Sequence, residues 1–183
     1  MPTILTHAVV PLAIGLGLGS RAVPPHLLMA GIVASIAPDF DVLAFRLHVA
    51  YADTFGHRGA THSVGFAFLL ATTAALLAGR LRTSPWKAFA FVGLCALSHP
   101  LLDMFTNGTH GVALWWPWSD ERLVMPWHRI EASPIAFDRI ASARTWVVLQ
   151  SEMMWIWLPA LAGFLALKLW SRGVTRSSRH AQT

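Results

Sequence analysis

The sequence predicts an all-α polytopic integral membrane protein, a bundle of about five membrane-embedded helices. Three observations carry that prediction. Of 183 residues, 55% are hydrophobic, and with the 13 glycines the apolar share is roughly 62%, against about 45–50% in soluble domains. Charged residues make up 13% of the chain, about half the usual quarter and too few to cover a soluble domain of this size. The apolar residues also gather into five separated segments. This composition excludes a disordered chain and argues against an ordinary soluble one. The single cysteine, Cys95, excludes an internal disulfide framework and any multi-cysteine zinc site.

The first segment, about Ile4–Gly19, is short and glycine-rich and reads as a buried or tilted helix. No positive region precedes it, Arg21 following the apolar run, so it is expected to be retained rather than cleaved as a signal. The second, Leu27–Leu47, is interrupted by Pro38-Asp39-Phe40-Asp41. The third (His62–Gly79), fourth (Trp86–Phe105) and fifth (Trp146–Trp170) each approach the ~20 apolar residues of a spanning helix. The connections are unequal: Ser20–His26 is a short turn, His48–Thr61 and Arg80–Pro85 follow, and residues 106–145 form a long stretch rich in Trp, Pro and charge. Trp115, Trp116, Trp118 and Trp127 in that stretch are expected to pack at the headgroup level. Residues 1–170 then form one membrane-embedded helical domain, and 171–183 a basic polar tail expected to fray.

The formal net charge is +5, but the basic residues are scattered at the ends of apolar runs and form no stripe, so no nucleic-acid partner is expected. Five alternating spans put Arg21, Arg80, Arg82, Lys87 and the Arg172–Arg179 tail at one membrane face. Arg46, Arg58, Arg122, Arg129, Arg139 and Arg144 fall at the other, mixed with acids. The positive-inside rule makes the first face cytoplasmic and the second periplasmic or extracellular.

The same alternation brings His7, Asp39, Asp41, His57, His62, His99, Asp103 and Glu152 to one level, the mixed-charge face. Ionisable groups at membrane depth are costly and point to function. Imidazole and carboxylate are the ligand set of zinc and related divalent ions, with manganese or magnesium as alternatives. His99 and Asp103, four apart, share a helix face. Singly, each group has a bland reading: a helix surface pair, a cap after Pro38, a satisfied core histidine. Together they point to a metal site. Because a catalytic zinc takes about three protein ligands, the set fits either two ions or one ion with outer carboxylates that orient the histidines. Arg58, Arg122 and Arg129 share that face, where guanidinium suits bidentate phosphate binding, unless they only reach for lipid headgroups. Cys95, one turn before His99, reads as a small core residue.

Pro38-Asp39-Phe40-Asp41, Gly56-His57-Arg58-Gly59-Ala60-Thr61-His62-Ser63, Ser98-His99-Pro100-Leu101-Leu102-Asp103 and Gly111-Val112-Ala113-Leu114-Trp115-Trp116-Pro117 together resemble the YdjM-type family of predicted membrane-bound metal-dependent hydrolases. The resemblance runs from about Thr6 to Pro117, with looser similarity at Ser133-Pro134-Ile135 and Ser151-Glu152. It implies a multi-pass protein of the bacterial inner membrane. Its His/Asp pattern is similar to that of zinc-dependent phospholipase C and P1-type nucleases. Position by position, the implied metal ligands are His7, Asp39, Asp41, His57, His62, His99 and Asp103, the set already reached. The chain departs from the family in Ala60, where a bulkier apolar residue is common, and in Pro100 beside His99, where a helix kink would present the histidine.

The expected function is hydrolysis of a phosphoester, phospholipase- or phosphatase-like, at the membrane surface. One or two divalent ions, zinc first, would activate water. Asp39, Asp41 or Glu152 is the expected general base, Arg58 the catalytic holder of phosphate charge, and Arg58, Arg122 and Arg129 the substrate contacts. The expected partner is a membrane lipid or lipid-linked phosphate. The alternatives are an ion or solute transporter using the cluster as a transit site, and a structural membrane protein stapled by a metal. A carrier site belongs near the midplane rather than at one face, which counts against transport.

Overall fold

The computed structural model describes residues 1–108, 110–133 and 143–180, with side chains described as far as residue 173. Among these residues every regular element is helical, and β pairing is limited to isolated bridges between Thr106 and Ile130 and between Val112 and Leu123. Pro134, Ile135, Asp138 and Arg139 lie outside the described residues.

The first apolar segment folds as α1 (Ile4–His7) and α2 (Val9–Leu18). Pro11 has no N–H to give the His7 carbonyl and its ring crowds that carbonyl, so the winding breaks at Ala8. The second becomes α3 (Pro25–Ile36), which passes at Ala37 into an eleven-residue 3-10 helix, Ala37–Leu47. Pro38 thus changes the winding instead of ending the helix. At about 3.0 residues per turn, positions i and i+2 lie roughly 120° apart around the axis, so Asp39 and Asp41 face different neighbours.

Across a loop, a single 3-10 turn (Ala60–His62) leads into α4 (Val64–Leu76). Ser63 caps α4 by accepting the Phe66 N–H at 3.0 Å. Capped there and ending at Leu76, α4 has 13 residues, fewer than the expected His62–Gly79 span. Its length of ~20 Å falls short of a hydrocarbon core of ~30 Å. α5 (Pro85–Met104) runs for 20 residues straight through Pro100. α6 (Ala143–Glu152), a π turn (Met153–Trp157) and α7 (Leu158–His180) form one continuous helical stretch. Its backbone stays helical past Ser171, where a frayed tail was expected.

Among the described residues two helical stretches are long and apolar enough to cross a membrane, Pro25–Leu47 and Ala143–Gly173, while Ile4–Leu18 and Val64–Leu76 are shorter apolar helices. Among the described residues the helices therefore gather into five stretches, two of them long and apolar enough to span, rather than five clear spans.

α3 and α4 pack on α5, and α2 packs on α7. The α3–α5–α4 core is built from small side chains, among them Ala34, Ala67, Ala74, Ala88, Cys95 and Ala96, the composition that lets membrane helices approach closely. At Gly31 a Cβ would sit 2.5 Å from Phe91 Cε1 and 3.0 Å from Cys95 Sγ, so only glycine permits this α3–α5 distance. That contact sets α3, and with it Asp39, against the end of α5 that carries His99 and Asp103.

Candidate metal centre

Three helix ends and one 3-10 turn deliver the polar residues to one buried point. His7 ends α1, Asp39 opens the 3-10 helix, His62 closes the Ala60–His62 turn, and His99 and Asp103 lie one turn apart near the end of α5. All five are at most 2% exposed. His62 Nε2 lies 3.4 Å from Asp103 Oδ2 and 3.9 Å from Asp39 Oδ1. His99 Nε2 is 3.5 Å from Asp39 Oδ1, and His7 Nε2 is 3.6 Å from Asp103 Oδ1. The His7 and His99 rings stack at 3.7 Å.

The tautomers follow from what lies behind the rings. His99 Nδ1 is 2.7 Å from the Ser35 carbonyl, which can only accept, so Nδ1 carries the proton. His62 Nδ1 is 3.1 Å from Asp41 Oδ2 and is held as a donor in the same way. In the neutral rings both Nε2 atoms then carry lone pairs, and they face each other at 3.0 Å. Two lone pairs do not sit at that distance without a proton or a cation between them.

Both oxygens of Asp39, both oxygens of Asp103 and both ring nitrogens of His7 are buried with no hydrogen-bond partner. Orphaned buried groups of this kind are rare and costly. Bonds of about 2.0–2.1 Å to a tetrahedral ion put ligand atoms roughly 3.3 Å apart, within the range these donor atoms already span. Two carboxylates among neutral imidazoles also match a divalent charge. Asp39, His62, His99 and Asp103 present ligand atoms within 4.8 Å of one another, with His7 adjoining.

Asp41 and His57 belong to a second group with His62. Unlike Asp39, Asp41 has its oxygens filled. Oδ1 lies 2.5 Å from His57 Nδ1, and Oδ2 accepts from Thr61 Oγ1 at 2.8 Å and from the Arg58 N–H at 3.1 Å. Asp41 therefore stands behind His62 and orients it, as outer carboxylates do around metal-binding histidines. Burial disfavours charge on His62, but the nearby carboxylates of Asp103 and Asp41 outweigh that and raise its pKa from 6.5 to about 9.

The loop that carries His57 and Arg58 closes tightly. Arg58 has φ +63°, its N–H held by Asp41 and its carbonyl by the Ala113 N–H at 3.0 Å. A Cβ at Gly59 would lie 2.2 Å from the Thr54 carbonyl oxygen. The stretch from Val112 to Leu114 folds back over this loop, with the Val64 N–H donating to the Leu114 carbonyl at 2.9 Å.

The remaining expected site residues are used differently. Arg58 is buried, with Nε 3.3 Å from Asp103 Oδ2 and Nη2 donating to Thr106 Oγ1 at 2.9 Å. Its charge is directed at a cluster carboxylate. Arg122, expected to contact substrate, donates instead to the carbonyls of His57, Tyr51 and Asp53 at 3.0–3.2 Å and clamps the loop. Arg129 lies exposed over the Trp127 and Trp155 rings, at 5.6 and 6.0 Å. Glu152, expected as a general base, is buried, and its carboxylate accepts the Thr3 N–H, Thr3 Oγ1 and Thr6 Oγ1. It ties α6 to the N-terminal segment. Sequence reasoning missed the supporting partners Ser35, Thr61 and Thr106. Thr61 was findable as the neighbour of His62, but Ser35 acts through its backbone carbonyl and leaves no side-chain signal.

The family model described as YdjM inner membrane protein matches residues 1–175. The chain is 47% identical over 173 residues to the inner membrane protein YbcI of Escherichia coli K12, covering 94% of this chain and 99% of that protein. No solved structure matches.

Proposed function

We infer, for a chain that belongs to the YdjM family of inner membrane proteins, that it is a membrane-embedded metal-dependent hydrolase that cleaves a phosphoester at the membrane surface. The observation that carries this reading is the pair of imidazole Nε2 atoms facing at 3.0 Å amid four buried carboxylate oxygens that accept no hydrogen bond. His62, His99, Asp39 and Asp103 would hold the ion, with His7 as a fifth donor. A bound divalent ion, zinc by ligand type, supplies Lewis acidity and a water acidified towards neutrality. Asp41 keeps His62 in its ligating tautomer. Arg58 offsets the charge of Asp103. Asp39, with both oxygens free of other donors, is the carboxylate suited to take a proton from the attacking water, a task for which Glu152 has no free oxygen.

A lipid substrate is supported by an apolar cavity of about 270 Å³ between α2, α5 and the α6–α7 stretch. Val10, one turn after His7, and Leu102, next to Asp103, line it, as does Trp155 beneath the Arg129 guanidinium. An acyl chain there would leave its headgroup beside the cluster and a cation.

The test is metal content of detergent-purified protein beside His62→Ala, followed by phosphate release from phospholipid and soluble phosphodiesters. About one ion per chain, lost with His62, and metal-dependent hydrolysis are expected. Full metal in the variant would refute the centre, and stoichiometric metal without hydrolysis would refute the hydrolase. Complete burial of the cluster favours a second reading, a metal that only staples the helices. A cobalt-loaded protein whose spectrum ignores added phosphate would support that reading, because a staple has no exchangeable position.

A further inference from the structure

We propose that the end of the molecule opposite the His/Asp cluster carries a binding site for the phosphate of an anionic phospholipid, between the α2–α3 turn and α7. This site does not depend on the reading of the metal centre. A cavity of about 420 Å³ opens there, lined by Ser20 and Arg21 of the turn and by Trp170, Ser171 and Arg172 of α7.

The site is built by helix packing. At Gly17 a Cβ would lie 2.8 Å from Leu167 Cβ, so the backbones of α2 and α7 approach closely just before the cavity. Ser171 Oγ donates to the Gly17 carbonyl at 3.2 Å and fixes the register of that approach. Gly19, with φ +81°, then ends α2 and turns the chain so that Arg21 stands across the cavity from Arg172.

Charge selects the ligand. The chain has no Asp or Glu in residues 1–38, 54–102 or 153–183, so the helix ends that meet at this face carry none. No ion pair engages Arg21 or Arg172 among the described residues. Two guanidinium groups from separate elements, with the Ser20 hydroxyl beside them, form a donor set for phosphate oxygens. Position selects a lipid over the free ion. Trp170 is the interface type of side chain, and exposed Leu16, Leu161, Leu165 and Leu169 continue from the cavity along α2 and α7 as a surface for acyl chains. Basic pockets between membrane helices recognise anionic headgroups in this way.

Native mass spectrometry of the full chain in detergent tests the assignment, by titration with phosphatidylglycerol, phosphatidylethanolamine and inorganic phosphate. An arginine near an anionic surface contributes about a fivefold factor, so the Arg21→Ala/Arg172→Ala variant should bind phosphatidylglycerol roughly 30-fold more weakly. Arg80→Ala/Arg82→Ala removes the same charge elsewhere on that face and should bind as wild type does. If the first variant does not yield monodisperse protein, Arg172→Gln alone should show about a fivefold loss. Unchanged binding in the cavity variant, an equal loss in the control, or phosphatidylethanolamine binding as tightly as phosphatidylglycerol would each overturn the site. Inorganic phosphate that binds wild type and not the cavity variant would make it a site for the free anion and overturn the lipid assignment.

Discussion

Asp41→Asn separates the two ways of counting metals. The substitution keeps the side chain's shape and removes its charge. In the structure Asp41 receives four donors: His57 on Oδ1, and Thr61, the Arg58 N–H and His62 on Oδ2. Asparagine can keep its oxygen towards the three-donor side, so the loop remains bonded while the charge assistance to His62 Nδ1 is lost. A hydrogen bond to a charged group contributes about 1.5–3 kcal/mol against about 1 for a neutral one, a difference of roughly 0.5–2 kcal/mol. That corresponds to about a 2–30-fold loss of metal affinity, overlapping the ~10–100-fold range for groups that orient metal ligands. The assay is competition with a chelator of known affinity on purified protein, read with stoichiometry by elemental analysis. One ion per chain in both proteins, bound more weakly in the variant, is expected. Two ions in wild type and one in the variant would show that Asp41, His57 and His62 hold an ion themselves. Wild-type affinity in the variant would refute the orienting role.

Glu152→Gln should lower stability by about 1.5–3 kcal/mol, because the amide oxygen keeps the Thr3 and Thr6 hydroxyls while the Thr3 N–H loses its charged acceptor, with metal content unchanged; thermal unfolding with metal analysis checks this, and loss of metal from folded protein would return Glu152 to the centre. Gly31→Ala should cost about 1–3 kcal/mol, because the new methyl meets Phe91 at 2.5 Å; an unchanged melting temperature would mean that α3 and α5 do not pack this closely. The metal-free protein should lose stability as pH rises from 6.5 to 9. His62 has its pKa raised to about 9, so its contribution, about 3 kcal/mol, is full below 6.5 and gone above 9. A ligand must be deprotonated, so metal affinity should rise over the same window; melting curves of chelated and loaded protein from pH 6 to 9.5 check both, and parallel flat curves would refute the protonation state.

The level at which the polar groups meet was legible because it depends only on alternating helix direction, and His7, Asp39, His62, His99 and Asp103 obey it. Position around the helix axis was not. Glu152 sits at the right height but turns to Thr3 and Thr6, and nothing in its spacing distinguishes the two faces. Asp39 and Asp41 part company because residues two apart lie on different sides of any helix, and the residue pattern around Pro38 reads as an interruption where the chain in fact stays helical. Arg122 was read by its charge, but its acceptors are backbone carbonyls, which every residue has. Helix ends were also hidden in the apolar runs. His62–Gly79 is continuous in hydropathy, yet Ser63 caps the helix and leaves His62 in a separate turn where its ring can reach the cluster.

On the hydrolase reading, the cluster's burial ties substrate access to metal affinity. The loop that covers the centre is the one that supports it. Arg122 holds the carbonyls of Tyr51, Asp53 and His57, and the same backbone presents the Arg58 N–H and His57 Nδ1 to Asp41. Displacing that loop releases two of the donors that fix Asp41, and Asp41 fixes the tautomer of His62. It also shifts Arg58, whose guanidinium lies against Asp103. Opening therefore weakens the hold on an ion just when the site admits a substrate, unless the substrate supplies ligands of its own. A phosphate group does, through oxygens that can take the coordination position of water and draw on the charge of Arg58. A neutral molecule entering the same opening brings no such compensation, so the loop itself favours anionic substrates over neutral ones before any side chain has contacted them.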